Sequence, residues 1–137
     1  MVHHPNVYLD LLKRKITRYD PSCWLVNTGW TGGAYGVGKR ISIAHTRTLL
    51  NTALSGGFAK REFHTDPIFG FKIPNSCEGI PSEVLNPSES WPSETEYMKK
   101  YRQLALRFKD NFKKYEANCW PELLLAGPRV DQAKNER

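Results

Sequence analysis

Between residues 21 and 61 the chain has no aspartate or glutamate at all. It also lacks any apolar run near the roughly 20 residues needed to cross a bilayer, and its first ten residues, MVHHPNVYLD, hold no apolar h-region of the secretory kind. No membrane partner is therefore expected, and the default compartment is the cytoplasm. Cysteine is scarce: Cys23, Cys77 and Cys119 are an odd number with no C-x-x-C pair. That excludes a disulfide framework and a thiolate zinc site, and leaves reduced, mostly buried thiols as the expectation. The four histidines, His3, His4, His45 and His64, show neither E-x-x-H nor H-x-x-x-H spacing, so no metal ligands are expected from them. There is no G-x-S-x-G nucleophile elbow, and the only Asn-x-Ser candidate, Asn86, is followed by Pro87. Residue spacing alone locates no catalytic residue.

What is present is packing material and segregated charge. The 137 residues include 39% hydrophobic and 12% aromatic positions with a net charge of +6, which suits one soluble globular domain with an ordinary core. The acid-free stretch carries Lys39, Arg40, Arg47, Lys60 and Arg61, whereas residues 62–96 carry seven acids against Lys72. Residues 97–116 return to seven bases and two acids. A glycine-rich, carboxylate-free stretch suits an anionic ligand, and basic charge by itself also fits nucleic acid.

Periodicity and punctuation predict a mixed α/β chain. A helix is predicted over 6–19, with Asn6 as cap and Val7, Leu11, Leu12 and Ile16 at helical spacing. Cys23 to Val26 reads as a buried strand, Arg40 to Ile43 as an alternating strand, and Ala44 to Leu54 as a helix stopped by Ser55-Gly56-Gly57. A proline every five to seven residues from Pro67 to Pro92 favours turns, with Phe69 to Ile73 the one strand there. Ser93-Glu94-Thr95-Glu96 is a capping box before a helix of about 23 residues, whose aromatic stripe, Tyr97, Tyr101, Phe108, Phe112 and Tyr115, reads as core packing rather than base stacking. Leu123 to Leu125 starts a short apolar cap, and 131–137 is a polar tail.

The loop Gly29 to Gly38 holds five glycines in ten residues. Gly33 to Lys39 fits G-x-x-x-x-G-K, but the next residue is Arg40, where a phosphate-binding loop needs a Ser or Thr to ligate magnesium. A strand is also expected where that loop would turn helical. What remains is flexible backbone N–H beside Lys39 and Arg40, an anion-friendly arrangement.

The string Leu25-Val26-Asn27-Thr28-Gly29-Trp30-Thr31-Gly32-Gly33 running into Gly38-Lys39-Arg40-Ile41-Ser42-Ile43 and Thr46-Arg47 closely resembles the ATP-dependent phosphoenolpyruvate carboxykinases. His4-Pro5, Asp66-Pro67 before Phe69-Gly70-Phe71, Val84-Leu85-Asn86-Pro87 and Ala126-Gly127-Pro128 follow the same family's order. The resemblance covers residues 2 to 130 and implies the C-terminal part of that fold's nucleotide-binding domain, 1–130, followed by the tail 131–137. It implies a place in an enzyme that converts oxaloacetate and ATP to phosphoenolpyruvate, ADP and carbon dioxide with magnesium and manganese, at the entry to gluconeogenesis. The family's ATP-contacting residues fall on Arg40, Ile41 and Thr46. Its true phosphate loop, its manganese ligands and its oxaloacetate-binding Arg and Tyr belong to upstream segments whose motifs do not occur here. The isolated chain is therefore expected to be inactive, Met1 to mark a truncated gene or partial product, and the missing N-terminal portion to be the natural partner. Exposed apolar surface and one or two strands lacking partners are expected, and with them self-association. A free-standing weak ATP-binding module and, below it, a basic nucleic-acid-binding module through 21–61 and 97–116 are the alternatives.

Overall fold

The structure, a computed structural model, describes residues 2–33, 36–117 and 119–130. Ala34 and Tyr35 of the glycine loop and the polar tail 131–137 lie outside the described residues.

Helix α1 runs Pro5–Tyr19, and its cap is His4 rather than Asn6: the His4 ring Nδ1 accepts from the Asn6 N–H at 3.3 Å. Pro5 at the first helical position explains the shift, since its fixed φ suits a helix start and draws Asn6 inside. Asp20 closes the helix in the left-handed region at φ 42°, its N–H bonded to the Ile16 carbonyl. The predicted strand at Cys23 to Val26 does not form. That segment pairs with nothing described and leaves Leu25 81% exposed, because an apolar run becomes a strand only where another edge meets it. Trp24 packs instead on Phe58 and Phe63, with ring centroids 5.0 and 6.2 Å away.

Two short antiparallel ladders follow. Strand β1, Trp30–Thr31, pairs with β2, Lys39–Arg40, in the register Trp30↔Arg40 and Thr31↔Lys39. The expected strand over 40–43 is thus moved back and shortened, because Ser42 caps the next helix: its Oγ accepts from the His45 N–H at 3.1 Å, and α2 spans Ile43–Leu54. As expected, α2 stops at Ser55, followed by Gly56 at φ 71°. Strand β3, Phe63–Thr65, which has no clear sequence signal, pairs with β4, Lys72–Pro74. The strand expected at Phe69 begins only at Lys72, because Asp66 to Phe71 forms the connecting turn, closed by Asp66 N–H to Phe71 carbonyl at 2.8 Å. The proline-rich middle folds into α3, Ser82–Leu85, and a 3-10 turn, Pro87–Ser90. Helix α4, Glu94–Glu116, starts where the capping box put it, with Ser93 Oγ accepting from Glu96 N–H at 3.4 Å. Helix α5, Pro121–Leu125, is the last element of a mixed α/β arrangement whose strands, among the described residues, make two separate two-stranded ladders.

The ordinary core expected from length and composition is not there. Among the described residues, Phe58, Ile68, Cys77 and Ala105 are the buried hydrophobic ones, joined by Asp66. Asp66 organises this small centre. Its Oδ1 accepts from the backbone N–H of Ile68 at 2.9 Å and of Phe69 at 2.5 Å, and its Oδ2 from the Tyr101 hydroxyl at 2.5 Å, which ties the β3–β4 turn to α4. Phe69 then packs against Tyr101 and Phe108 of α4 at 5.4 and 5.5 Å. The aromatic stripe of α4 is core only in part: Tyr101 and Phe112 are half-buried, while Phe108 is 54% exposed. Nor are the thiols mostly buried, since only Cys77 is, with Cys23 exposed and Cys119 intermediate; all three are free.

Large apolar side chains are left uncovered. No residue of α1 is buried, and Leu54, Leu125 and Ile43 are 84, 82 and 72% exposed. The total surface is 11064 Å², against about 7,300 Å² for a compact 15.7 kDa chain.

Candidate functional site

The three residues singled out in the sequence lie on one continuous connection. Arg40 ends β2, Ile41 follows it, Ser42 caps α2, and Thr46 closes that helix's first turn. Pairing with β1 holds the near end, extended by the Ile41 N–H donating to the Gly29 carbonyl at 3.0 Å. The cap holds the far end. Arg40 is exposed, and Ile41 and Thr46 are half-buried. A permanently charged guanidinium, an apolar side chain and a hydroxyl are thereby set on one strand-to-helix junction, hydrogen-bonded at both ends.

The hydrogen bonds already made limit what each residue can offer. The Ile41 N–H is spent within the hairpin, so a ligand would meet its side chain and carbonyl. Thr46 Oγ1 donates to the Ser42 carbonyl at 3.1 Å. Its single proton is committed there, and its lone pairs remain for a donor. Arg40 keeps its full donor set for oxygen acceptors, with the 60% exposed Trp30 directly across the ladder.

The glycine loop serves this geometry as a hairpin and not as a phosphate loop. The chain after Lys39 continues as strand and turns helical only at Ile43. Gly38 permits the close approach of the two strands, since a Cβ there would lie 2.8 Å from the Thr31 carbonyl and 3.0 Å from that of Gly33. Gly32, at φ 80°, takes a backbone conformation that side chains disfavour, next to the Ser90 carbonyl.

Elsewhere the structure gathers little chemistry. Among the described residues no three His, Cys, Asp or Glu side chains cluster in a way that could hold a metal. His64 shares a 2.8 Å hydrogen bond with Asn75 on the exposed face of the β3–β4 ladder. Depressions of about 470 and 320 Å³ lie along α4 and between α1 and α4; neither includes Arg40, Ile41 or Thr46. The Tyr101 phenol is held protonated well above its ordinary 10.0 by burial and by its bond to Asp66, a structural effect distant in sequence from the junction. Sequence reasoning quoted Asp66 only as part of an Asp-Pro turn and did not find that its carboxylate gathers the Ile68 and Phe69 N–H groups and the Tyr101 hydroxyl. No helix of the described residues is long and apolar enough to cross a membrane.

A family model described as phosphoenolpyruvate carboxykinase matches residues 1–83, which include the whole junction. The chain is 51% identical over 116 residues to phosphoenolpyruvate carboxykinase (ATP) of Pelobacter propionicus, a match covering 85% of this chain and 22% of that protein. The enzyme of the same name from Thermus thermophilus is 45% identical over 128 residues, 93% of this chain and 24% of the relative. That from Dictyostelium discoideum is 41% identical over 132 residues, 96% of this chain and 24% of the relative. The chain thus spans less than a quarter of the length of these curated relatives.

Proposed function

The chain belongs to the phosphoenolpyruvate carboxykinase family, and on that premise we propose that residues 1–130 act as the C-terminal segment of its nucleotide-binding domain and supply one wall of the ATP site. The observation that carries this reading is the strand-to-helix junction, where Arg40, Ile41 and Thr46 follow one another on fixed backbone within a stretch free of carboxylates. In this reading Arg40 meets ribose or phosphate oxygens, and Ile41 lies against adenine through its side chain and carbonyl. Thr46, with its proton given to Ser42, accepts from the adenine amino group. The donor count therefore favours adenine over a base with a carbonyl at that edge.

The activity so served is conversion of oxaloacetate and ATP to phosphoenolpyruvate, ADP and carbon dioxide, a gluconeogenic carboxykinase and lyase reaction in the cytoplasm. Magnesium and manganese would neutralise the phosphates and polarise substrate oxygens. The described residues do not fit a site for either ion, because no cluster of ligands exists among them, and no metal-dependent step is assigned to this chain. Phosphoryl transfer needs phosphate-gripping Lys and Arg groups with metal, so the chain is inactive by itself. The rest of a family enzyme is its partner, supplying those groups and the oxaloacetate site and covering the exposed faces of α1, Leu54 and Leu125.

Calorimetric titration of the chain with Mg-ATP tests the wall. One charge-assisted hydrogen bond is worth about 1.5–3 kcal/mol, so affinity is expected near the millimolar range, about 4 kcal/mol. Arg40→Ala is expected to weaken it at least tenfold. Equal binding by the parent and Arg40→Ala would remove the junction from the nucleotide site.

A further inference from the structure

Two hydroxyls 59 residues apart meet at the base of the glycine hairpin. Thr31 Oγ1 and Ser90 Oγ are 3.3 Å apart and partly buried. Ser90 Oγ also lies 2.8 Å from the Pro87 carbonyl, which can only accept. The single Ser90 proton is committed there, so Thr31 is the donor in the pair. The result is a directed chain from Thr31 to Ser90 to Pro87, in which each bond polarises the next.

The far end of this chain is itself fixed. The Glu89 carboxylate accepts from Ser82 Oγ at 2.6 Å and from the Asn86 amide at 2.9 Å, while Ser88 Oγ donates to the Asn86 side-chain oxygen at 2.8 Å. The same two bonds hold the Glu89 carboxyl below its ordinary 4.5. The turn Pro87–Ser90 is therefore a braced element rather than a loose loop. The near end is the nucleotide wall: Thr31 pairs with Lys39, Trp30 with Arg40, and the Ile41 N–H with the Gly29 carbonyl. Gly32 brings the hairpin backbone close enough that a Cβ there would sit 3.4 Å from the Ser90 carbonyl. A two-residue ladder is marginal by itself, and this contact supplies the outside anchor it needs.

We propose that Ser90 is a positioning residue for the ATP wall, acting through Thr31 to hold the hairpin that presents Arg40 and Ile41. The proposal rests on the reading of the junction given above and touches no nucleotide directly. It gives the 3-10 turn after Asn86 a role in nucleotide affinity.

Amide hydrogen exchange on the full chain, read at Ile41 and at the hairpin, tests it with Ser90→Ala, Thr31→Val, the double variant and Ser90→Thr. Loss of one net hydrogen bond corresponds to about fivefold faster exchange. Ser90→Ala and Thr31→Val are each expected to show that at Ile41, with the middle of α4 unchanged, and the double variant to be no worse than either. Ser90→Thr keeps the hydroxyl and is expected to restore the parental rate. Mg-ATP affinity, titrated in parallel, is expected to fall severalfold in Ser90→Ala and to recover in Ser90→Thr. Parental exchange at Ile41 in Ser90→Ala, or equal acceleration of every amide, overturns the brace. If Arg40→Ala weakens Mg-ATP while Ser90→Ala does not, the wall stands and the brace has no positioning role. If neither changes affinity, the wall reading itself has failed.

Discussion

Replacing Asp66 with alanine removes the one acceptor that three groups share. The Ile68 and Phe69 N–H groups and the Tyr101 hydroxyl all donate to its carboxylate, and Asp66 is only 8% exposed. Hydrogen bonds to a charged group are worth about 1.5–3 kcal/mol each, but bonds sharing one carboxylate do not add. Ile68 is fully buried, so its N–H has no water to turn to, whereas Phe69 and Tyr101 are half-buried and can be partly rehydrated. A loss of about 3–5 kcal/mol follows. Asp66→Asn keeps one oxygen for the two backbone donors and lets the Tyr101 hydroxyl turn round to accept from the new amide, so about 1–2 kcal/mol is expected. Tyr101→Phe leaves one carboxylate oxygen without its donor and is expected to lose a similar amount. Urea unfolding followed by tryptophan fluorescence reads the order: Asp66→Ala far below the other two, and Asp66→Ala with Tyr101→Phe no lower than Asp66→Ala alone. Stability of Asp66→Ala within about 0.5 kcal/mol of the parent, the range of an inert surface change, would refute the claim that this carboxylate organises the core.

The same cluster predicts an alkaline limit: Tyr101 and Tyr97 have phenol pKa values raised above 10.0, chiefly by burial and then by Asp66. A raised folded-state value stabilises the fold below pH 10.0 and loses that contribution as pH rises toward the folded-state value; urea midpoints should fall above pH 10.0, less steeply in Tyr101→Phe. Gly38→Ala should open the hairpin, because the added Cβ meets two backbone carbonyls at 2.8 and 3.0 Å; loss of protection at the Ile41 amide while α4 keeps its own would show it. The exposed Leu54, Leu125 and Ile43 and the uncovered α1 predict self-association of the chain by itself; sedimentation should depend on concentration, and a monomer with a sharp, cooperative melt would contradict it.

The elements legible in the sequence were those set by local rules. The Ser93 capping box and the 3.6-residue period marked α4 almost to the residue, and Ser55-Gly56-Gly57 marked the end of α2. Reading failed where a partner decides. Cys23 to Val26 is as apolar as a buried strand but has no ladder among the described residues, and strand Trp30–Thr31 hides among glycines that read as loop, while its partner is shifted from the expected 40–43 to Lys39–Arg40. Phe69 to Ile73 reads as continuous because its residue types suit a strand, whereas the Asp66 turn that interrupts it is closed by backbone bonds to Phe71 and Gly70 and tied to α4 by the Tyr101 hydroxyl 35 residues away. Arg40, Ile41 and Thr46 come from the family resemblance; the Thr46 bond to Ser42 is local, whereas the Ile41 N–H reaches Gly29 twelve residues back. Thr31 and Ser90 meet only in the folded chain, so nothing in either segment announced the contact.

The central claim is that ATP meets this chain at the junction of β2 and α2. Backbone chemical-shift mapping of the isotope-labelled chain titrated with Mg-ATP to millimolar concentration tests it most directly. Shifts centred on Arg40, Ile41 and Thr46, lost in Arg40→Ala, are predicted. Shifts spread over the basic faces of α1 and α4, with those three amides unmoved, would contradict it.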